Sequence, residues 1–291
     1  MDAESDLSDP TASANVWRGR LVHWEDRATW SATLNSWLEP EWRSGGKDRL
    51  QTRKLDLCWD DGDWLDALDR YVQPSVETLT EALADDLAEA TLRTFHGCRV
   101  PDAGVFHREG LRRNDPAELE ALARRLVAED DDLAWMRPRI EAMIAEFDNR
   151  ERDTGRLYVC ADERPQLDHN GHYLLFGSEW LQCLLGWSAH RALKRYGTPT
   201  VVQVDLPFDW ASEGTRREFA RHLLQEWTRV LVMGQTFSPA LDFTVVLRRD
   251  IPAEMVVGHS HPKVLKNPFM QYLKERTANP TCPHCSVKAD A

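Results

Sequence analysis

The arrangement of short β-like runs and helical segments between residues 91 and 260 constrains the fold of this chain more than any other feature. Residues typical of strands occur in four runs, at residues 93–95, 156–160, 200–206 and 243–247. Between the later runs, apolar residues recur at helical spacing over residues 179–196 and 215–230. Helices placed between strands in this way favour α+β or α/β packing.

A tryptophan-rich region precedes this part of the chain. Seven of the twelve tryptophans fall between Trp17 and Trp64, and several share helical spacing with leucines. The pattern predicts a helical region over residues 15–90, with a polar loop at residues 45–53. Such indole stripes usually form a core, but they also suit a protein-binding surface, so a protein partner for this region stays open. The small, polar and acidic residues 1–14 predict a disordered segment.

Composition and charge argue against several classes of protein. The 291 residues suit one large domain with an extension, or two domains. The formal net charge of -12 opposes a broad nucleic-acid-binding surface. No apolar run approaches the roughly 18 residues of a membrane span, and the acidic N-terminus lacks the basic and apolar parts of a signal peptide. We therefore expect a cytoplasmic protein with reduced cysteines and no membrane partner.

The run at residues 93–95 leads into His96 and Gly97, which form the first candidate for a site. A histidine at the end of a strand can place its imidazole in a cleft, and the following glycine lets backbone and ligand approach closely. Gly110-Leu111 follows a short distance later. The alternative interpretation is an ordinary turn whose histidine has a structural hydrogen-bond partner.

Two tyrosines form the second candidate. Tyr158 lies in the β-like run at residues 156–160, and Tyr173 follows fifteen residues later. A tight corner between a strand, a loop and a helix would bring both rings to one wall of a pocket, where they suit a flat heterocycle. Buried tyrosines with hydrogen-bonded hydroxyls are the alternative.

Three acidic residues are candidates for a catalytic carboxylate. Asp242 stands at the head of the run at residues 243–247, Glu179 follows Tyr173, and Glu254 lies in the Ile-Pro-Ala-Glu sequence near the last apolar run. An acid at the edge of a strand can project into a cleft, although such residues are more often solvated. The sequence leaves the choice among the three acids open.

Taken in this order, the pieces resemble the ADP-ribosyltransferase superfamily, in particular its diphtheria-toxin-like and poly-ADP-ribose-polymerase-like branch with a His-Tyr-Glu triad. His96-Gly97 stands where that branch has His-Gly, and Gly110-Leu111 stands where it has Gly-Leu or Gly-Ile. Residues 157–162 are similar to its Tyr-Phe-Ala-Asp strand, and Tyr173 matches its second tyrosine. The resemblance implies an α+β fold with a split antiparallel β-sheet over residues 91–260, followed by a C-terminal tail at residues 261–291.

The resemblance also implies roles for these residues toward NAD as the substrate. His96 would bind the adenosine ribose, and Gly97 and Arg99 would contact the same dinucleotide. Tyr158 and Tyr173 would flank the nicotinamide ring.

A carboxylate would stabilise the positive charge that develops when the bond from nicotinamide to ribose breaks. The branch has Glu at this triad position, whereas this sequence has Asp242 at the best-placed position, with Glu179 as another candidate.

The function implied is transfer of ADP-ribose from NAD to a macromolecular acceptor, as in a bacterial toxin or defence effector. Two alternatives stay open. Arg99 suits a related RNA 2′-phosphotransferase, which relies on arginines in its cleft. Asp242 in place of Glu suits a catalytically inactive ADP-ribosyltransferase-like domain that serves as an interaction module. The chain is therefore interpreted as an enzyme, with a binding module as the competing class.

The C-terminal sequence Cys282-Pro-His-Cys285 forms a CxxC pair. Two thiolates at this spacing can bind one Zn²⁺, and His259 and His261 would complete a tetrahedral site. A redox pair of the thioredoxin type and a metal-free tail are the alternatives, because no second CxxC pair accompanies the first.

Overall fold

A computed structural model describes residues 15–234, 238–277 and Cys282. The chain forms two compact units. Of the described residues, unit 1 comprises 15–21, Ala28–Thr91 and Pro207–Gly234, and unit 2 comprises Val22–Arg27, Leu92–Leu206, 238–277 and Cys282. The predicted disordered segment, residues 1–14, lies outside the described residues.

The helices and strands alternate irregularly along the chain. In chain order the α-helices are α1 (Ser31–Leu38), α2 (Gly46–Gln51), α3 (Asp63–Asp69), α4 (Val76–Asp86), α5 (Gly104–Glu109), α6 (Pro116–Glu129), α7 (Ile140–Ala145), α8 (Arg164–Asp168), α9 (His172–Phe176), α10 (Glu179–Leu185), α11 (His190–Arg195) and α12 (Glu213–Met233). The strands are β1 (Leu21–Val22), β2 (Thr91–Val100), β3 (Leu157–Cys160), β4 (Thr198–Pro207), β5 (Thr244–Leu247), β6 (Val256–Ser260), β7 (Val264–Asn267) and β8 (Leu273–Arg276). The predicted strands at residues 93–95, 156–160, 200–206 and 243–247 are confirmed.

Unit 1 is helical, and α12 is its longest element. Its first turn is capped by Ser212, whose hydroxyl accepts a hydrogen bond from a backbone N–H. The apolar face of α12 buries Phe219, Leu223 and Trp227 and packs against α3 and α4. This packing groups residues 207–234 with the N-terminal helices, whereas the sequence interpretation placed them within the domain at residues 91–260.

Several indole side chains of unit 1 belong to its core. Trp17, Trp30 and Trp64 are fully buried, whereas Trp59 is about half exposed. The predicted polar loop at residues 45–53 is wrong, because α2 spans most of it. The helix forms there because Leu50 packs into the core and is fully buried. The sequence did not predict it, because the neighbours of Leu50 are mostly polar.

The main sheet has six strands among the described residues, with the order β5-β3-β2-β4-β6 and β1 paired with β2. The pairs β2–β3, β3–β5 and β4–β6 are antiparallel. In register, Phe95 faces Cys160 and Tyr158 faces Val246. A sheet of this kind among helices confirms the α+β class.

Two sequence expectations differ from the observed strands. β2 continues through His96 and Gly97 to Val100, so His96 lies inside a strand rather than at its end. Residues 261–291 are not simply a tail, because β7 and β8 form an antiparallel hairpin within them. None of the helices in the described ranges combines the length and hydropathy that a membrane span needs.

The core of unit 2 positions the segments that carry the candidate site. Apolar side chains from β2 and β4 pack with residues of α6, α7, α9, α10 and α11, and Leu265 of β7 joins the same cluster. Phe95 of β2 and Leu174 of α9 are both buried there. The packing therefore holds α9 and the start of α10 beside the strand that carries His96.

Candidate functional site

A cavity of about 590 Å³ lies within unit 2. Residues of β2, β3, α9 and α10 line it, together with loop residues before β3 and around α8. The volume is in the usual range for sites that bind a small molecule or cofactor.

Six residues proposed from the sequence line this single cavity: His96, Gly97, Arg99, Tyr158, Tyr173 and Glu179. They come together because β2 and β3 are neighbours in the sheet, and the short helices after β3 pack back onto β2. Asp242 and Glu254, the other candidate acids, are not among the lining residues.

The environment of His96 fixes its tautomer. Its Nδ1 lies 2.9 Å from the backbone oxygen of Tyr158. Because a carbonyl oxygen can only accept, Nδ1 must carry the proton. Burial lowers the pKa of His96 below its usual 6.5, although the bond to Tyr158 acts in the opposite direction. The ring is therefore neutral at pH 7, and its Nε2 is a hydrogen-bond acceptor.

Glu179 is held by two donors. The Tyr173 hydroxyl donates to Oε2 at 2.9 Å, and Arg152 Nη2 donates to Oε1 at 2.8 Å. Burial opposes ionisation of Glu179, but the hydrogen bonds from Arg152 and Tyr173 outweigh it and lower the pKa of the carboxyl below its usual value. Since its side chain is 36% exposed, this carboxylate stays accessible.

The two tyrosines are also held in place by hydrogen bonds to carboxylates. The Tyr158 hydroxyl donates to Asp153 at 2.9 Å. The ring of Tyr173 lies against that of His172, with the centroids 4.0 Å apart. Burial, reinforced by the neighbouring Glu179, raises the pKa of Tyr173 above its usual value. At neutral pH, Glu179 is therefore ionised and the Tyr173 phenol is neutral.

The guanidinium of Arg99 donates hydrogen bonds to the surrounding backbone carbonyls. Its Nε donates to the Tyr196 carbonyl at 3.0 Å, and its Nη1 donates to the Leu174 carbonyl at 3.0 Å. Its Nη2 donates to the carbonyls of Gly197, at 2.8 Å, and Lys194. Burial lowers the pKa of Arg99 to about 10, so the group stays charged. These bonds join α9 to the turn before β4 and favour a structural role for Arg99.

Gly97 lies directly against the side-chain amide of Gln166. A Cβ atom at Gly97 would lie 2.1 Å from Gln166 Oε1. Gln166 in turn donates from Nε2 to the backbone oxygen of Phe95 at 3.4 Å. The absence of a side chain at position 97 therefore lets a polar amide reach the cavity beside His96.

Several lining residues escaped the sequence interpretation: Asn114, Arg152, Gln166, Asn170 and His172. All five lie outside the strands that carry the resemblance. Arg152 stands in a run of charged residues that is typical of a solvated surface, and only its contact with Glu179 reveals it. For His172, the adjacent Tyr173 was the available signal.

The candidate metal ligands lie elsewhere in unit 2. Within the described residues, His259, His261 and Cys282 form a group whose ligand atoms all lie within 4.8 Å of one another. None of the three lines the cavity. Cys285 lies outside the described residues.

The cavity thus combines a neutral imidazole acceptor, an ionised carboxylate and two phenol rings with side-chain amides. It can accept a hydrogen bond from a ligand hydroxyl, pack against a flat ring and stabilise a positive charge. Comparison of the chain with protein-family models, with curated proteins and with solved structures gives no match.

Proposed function

We propose that the cavity of unit 2 binds NAD and that the protein transfers ADP-ribose from it to a macromolecular acceptor. One observation supports this proposal above all. His96, Tyr158, Tyr173 and Glu179, which are dispersed over more than eighty positions of the sequence, line one cavity of about 590 Å³. These are the residue types that the resemblance to ADP-ribosyltransferases requires, and the antiparallel sheet with its helices is compatible with the split-sheet core of that family.

His96 binds the ribose of the adenosine half in this proposal. Its Nε2 accepts a hydrogen bond from a ribose hydroxyl, because Nδ1 is already committed to the Tyr158 carbonyl. The neutral form that burial favours is the form that this contact needs.

The nicotinamide ring lies between Tyr158 and Tyr173. The phenol rings are anchored at their hydroxyls by Asp153 and Glu179, so little side-chain freedom is lost when a ligand packs against them. A ring held in this way is oriented for departure, and such positioning lowers the barrier to reaction.

Glu179 is the acid of the proposed site. As the bond from nicotinamide to ribose breaks, positive charge develops on the ribose, and an ionised carboxylate held nearby stabilises it. Tyr173 and Arg152 fix the orientation of Glu179, and Arg152 has further N–H donors for the pyrophosphate. Asp242 has no such role, because it does not line the cavity.

The alternatives differ in what they require of the same residues. An RNA 2′-phosphotransferase needs a guanidinium that is available to phosphate, and that of Arg99 is engaged with four backbone carbonyls. An inactive interaction module would bind NAD without breaking it. Nicotinamide release separates this module from an enzyme.

The test uses the full chain incubated with NAD, with and without cell lysate as a source of acceptor. We expect nicotinamide release by the wild type. Glu179→Gln should lower it about 10²- to 10³-fold, the usual loss when one group that stabilises the transition state is removed. NAD affinity, measured by calorimetry, should change little.

Asp242→Asn is the matched control, since it removes the rival carboxylate, and it should keep wild-type release. The proposal fails if the folded wild type binds no NAD, and the inactive module is supported if NAD binds without release. If Asp242→Asn rather than Glu179→Gln abolishes release, Glu179 is not the acid. Circular dichroism establishes that each variant is folded.

A further inference from the structure

We propose that His259, His261 and Cys282 bind one Zn²⁺ ion at a structural site that is separate from the cavity. All three side chains are partly buried, and their ligand atoms lie within 4.8 Å of one another. Two imidazoles and a thiolate without a carboxylate are a ligand set that zinc prefers. The proposal does not depend on NAD binding, because none of the three residues lines the cavity.

The hydrogen bonds of His261 leave one ring nitrogen for a metal. Its Nδ1 lies 3.0 Å from the Pro199 carbonyl, which can only accept, so Nδ1 carries the proton. The Nε2 atom then has a lone pair. It is buried and has no hydrogen-bond partner among the described residues. A buried acceptor without a partner is unfavourable, and a metal ion at this position would satisfy it.

The contacts of His259 also leave its Nε2 facing the proposed metal position. Its Nδ1 lies 2.9 Å from Nε2 of His107, a residue of α5. Its Nε2 lies 3.3 Å from Sγ of Cys282. With a metal on Nε2, the Nδ1–H group donates to His107, which is the outer hydrogen bond that orients ligating histidines in metal sites.

The backbone brings the two histidines to one side of the sheet. His259 lies in β6 opposite Val202 of β4, and His261 follows two residues later. Side chains two residues apart along an extended strand point to the same face. The sheet therefore places His259, and His261 follows directly after β6 ends, with the two imidazole centroids 5.1 Å apart.

The separation of two of the ligand atoms suits a tetrahedral ion. With bonds of about 2.0 Å from zinc to nitrogen and about 2.3 Å to sulfur, neighbouring tetrahedral ligands stand roughly 3.3 to 3.8 Å apart. The 3.3 Å separation of His259 Nε2 from Cys282 Sγ agrees with this value.

The first experiment measures zinc content in the full chain, purified under reducing conditions. We expect one zinc per wild-type chain and its loss in both His261→Ala and Cys282→Ser. Cys58→Ser is the matched control, because Cys58 is an exposed free thiol of unit 1, and it should keep the metal. A folded wild type without zinc, or zinc retained in both ligand variants, overturns the site.

Cobalt substitution identifies the ligands directly. Co²⁺ bound at the site should show a thiolate-to-metal charge-transfer band in the wild type and in Cys58→Ser, and this band should vanish in Cys282→Ser. A band that persists in Cys282→Ser places the thiolate ligand elsewhere and contradicts the assignment.

A third variant serves if the ligand variants fail to fold. His107→Ala leaves all three ligands in place and removes the partner of His259 Nδ1. It should weaken zinc affinity about 10- to 100-fold, as measured by competition with a chromophoric chelator. Unchanged zinc affinity in this variant would contradict the proposed geometry.

Discussion

His96 and Glu179 reach complementary charge states through different environments. Burial lowers the pKa of His96, which removes its charge at neutral pH. Hydrogen bonds from Arg152 and Tyr173 overcome the burial of Glu179 and keep its charge. Pairs of titratable groups whose environments separate their pKa values are typical of functional sites. In the proposed reaction, the neutral group binds and the charged group stabilises the transition state.

These shifts predict the pH profile of nicotinamide release. The folded pKa of His96 lies below 6.5, so its Nε2 acceptor is lost only at lower pH. The pKa of Tyr173 lies above 10, and that of Glu179 lies below its usual value. Release should therefore be constant between about pH 6.5 and 10 and fall on the acidic side, measured as kcat/KM in overlapping buffers. An acidic midpoint above pH 6.5 would contradict this assignment of charge states.

The same shift of His96 affects stability with a defined sign. Because the unfolded state binds the proton more tightly than the folded state, the contribution of His96 to the free energy of unfolding is complete above about pH 6.5 and is lost as the pH falls through its folded pKa. A decline in activity at acidic pH thus has two possible causes: protonation of His96 in the folded protein, or unfolding of the protein. Equilibrium unfolding at each pH distinguishes them.

Among the elements, the turn after α5 depends on a glycine that no other residue replaces well. Gly110 has a φ of 78°, in the region that favours glycine, and precedes Leu111, which bridges to Ile251. A Cβ at this position would lie 2.0 Å from the backbone oxygen of Ile251. Local packing alone therefore explains the Gly-Leu pair.

We predict that Gly110→Ala lowers the free energy of unfolding by more than Gly186→Ala. Gly186 ends α10 with a φ of 71°, but an added Cβ there meets no atom within 4 Å. Both substitutions carry the backbone penalty, and only Gly110→Ala adds the overlap with backbone. Overpacking of this kind costs about 1 to 3 kcal/mol. Equal losses for the two variants in urea titrations would show that the bridge to Ile251 adjusts freely.

Elements with a clear period could be predicted from the sequence, and those set by distant partners could not. Strands β2 to β5 were predictable because branched and aromatic residues cluster in them. α2 was missed because its one apolar side chain that is buried, Leu50, stands among polar neighbours. The site was predictable where strands carry it, at His96 and Tyr158. Arg152 and Gln166 reach the cavity from loop and helix positions that have no signal of their own.

At the scale of the whole molecule, each unit is assembled from separate parts of the chain. Unit 1 contains residues 28–91 and residues 207–234, with the sequence of the cavity between them. The helix α12 buries its apolar face within unit 1, so its partners come from sequence more than a hundred residues earlier. Hydrophobic periodicity identifies such a helix, but it does not show which other elements the helix packs against.

This division predicts how NAD should alter amide hydrogen exchange in the full chain. Every residue that lines the cavity belongs to unit 2. A ligand at 100 times its Kd stabilises the elements that bind it by about 2.7 kcal/mol, which slows exchange through their local opening about 100-fold. Amides of β2, β3 and α9 should therefore be protected by NAD, and those of α4 and α12 should exchange at unchanged rates.

His96→Ala is the matched control for this experiment, since it removes the proposed contact with the ribose and should abolish most of the protection. The comparison needs no turnover, so it also applies if the protein binds NAD without releasing nicotinamide. Equal slowing of α12 and β2 would contradict a binding site confined to unit 2. Protection of β2 that persists in folded His96→Ala would instead show that the dinucleotide is held by other residues of the cavity.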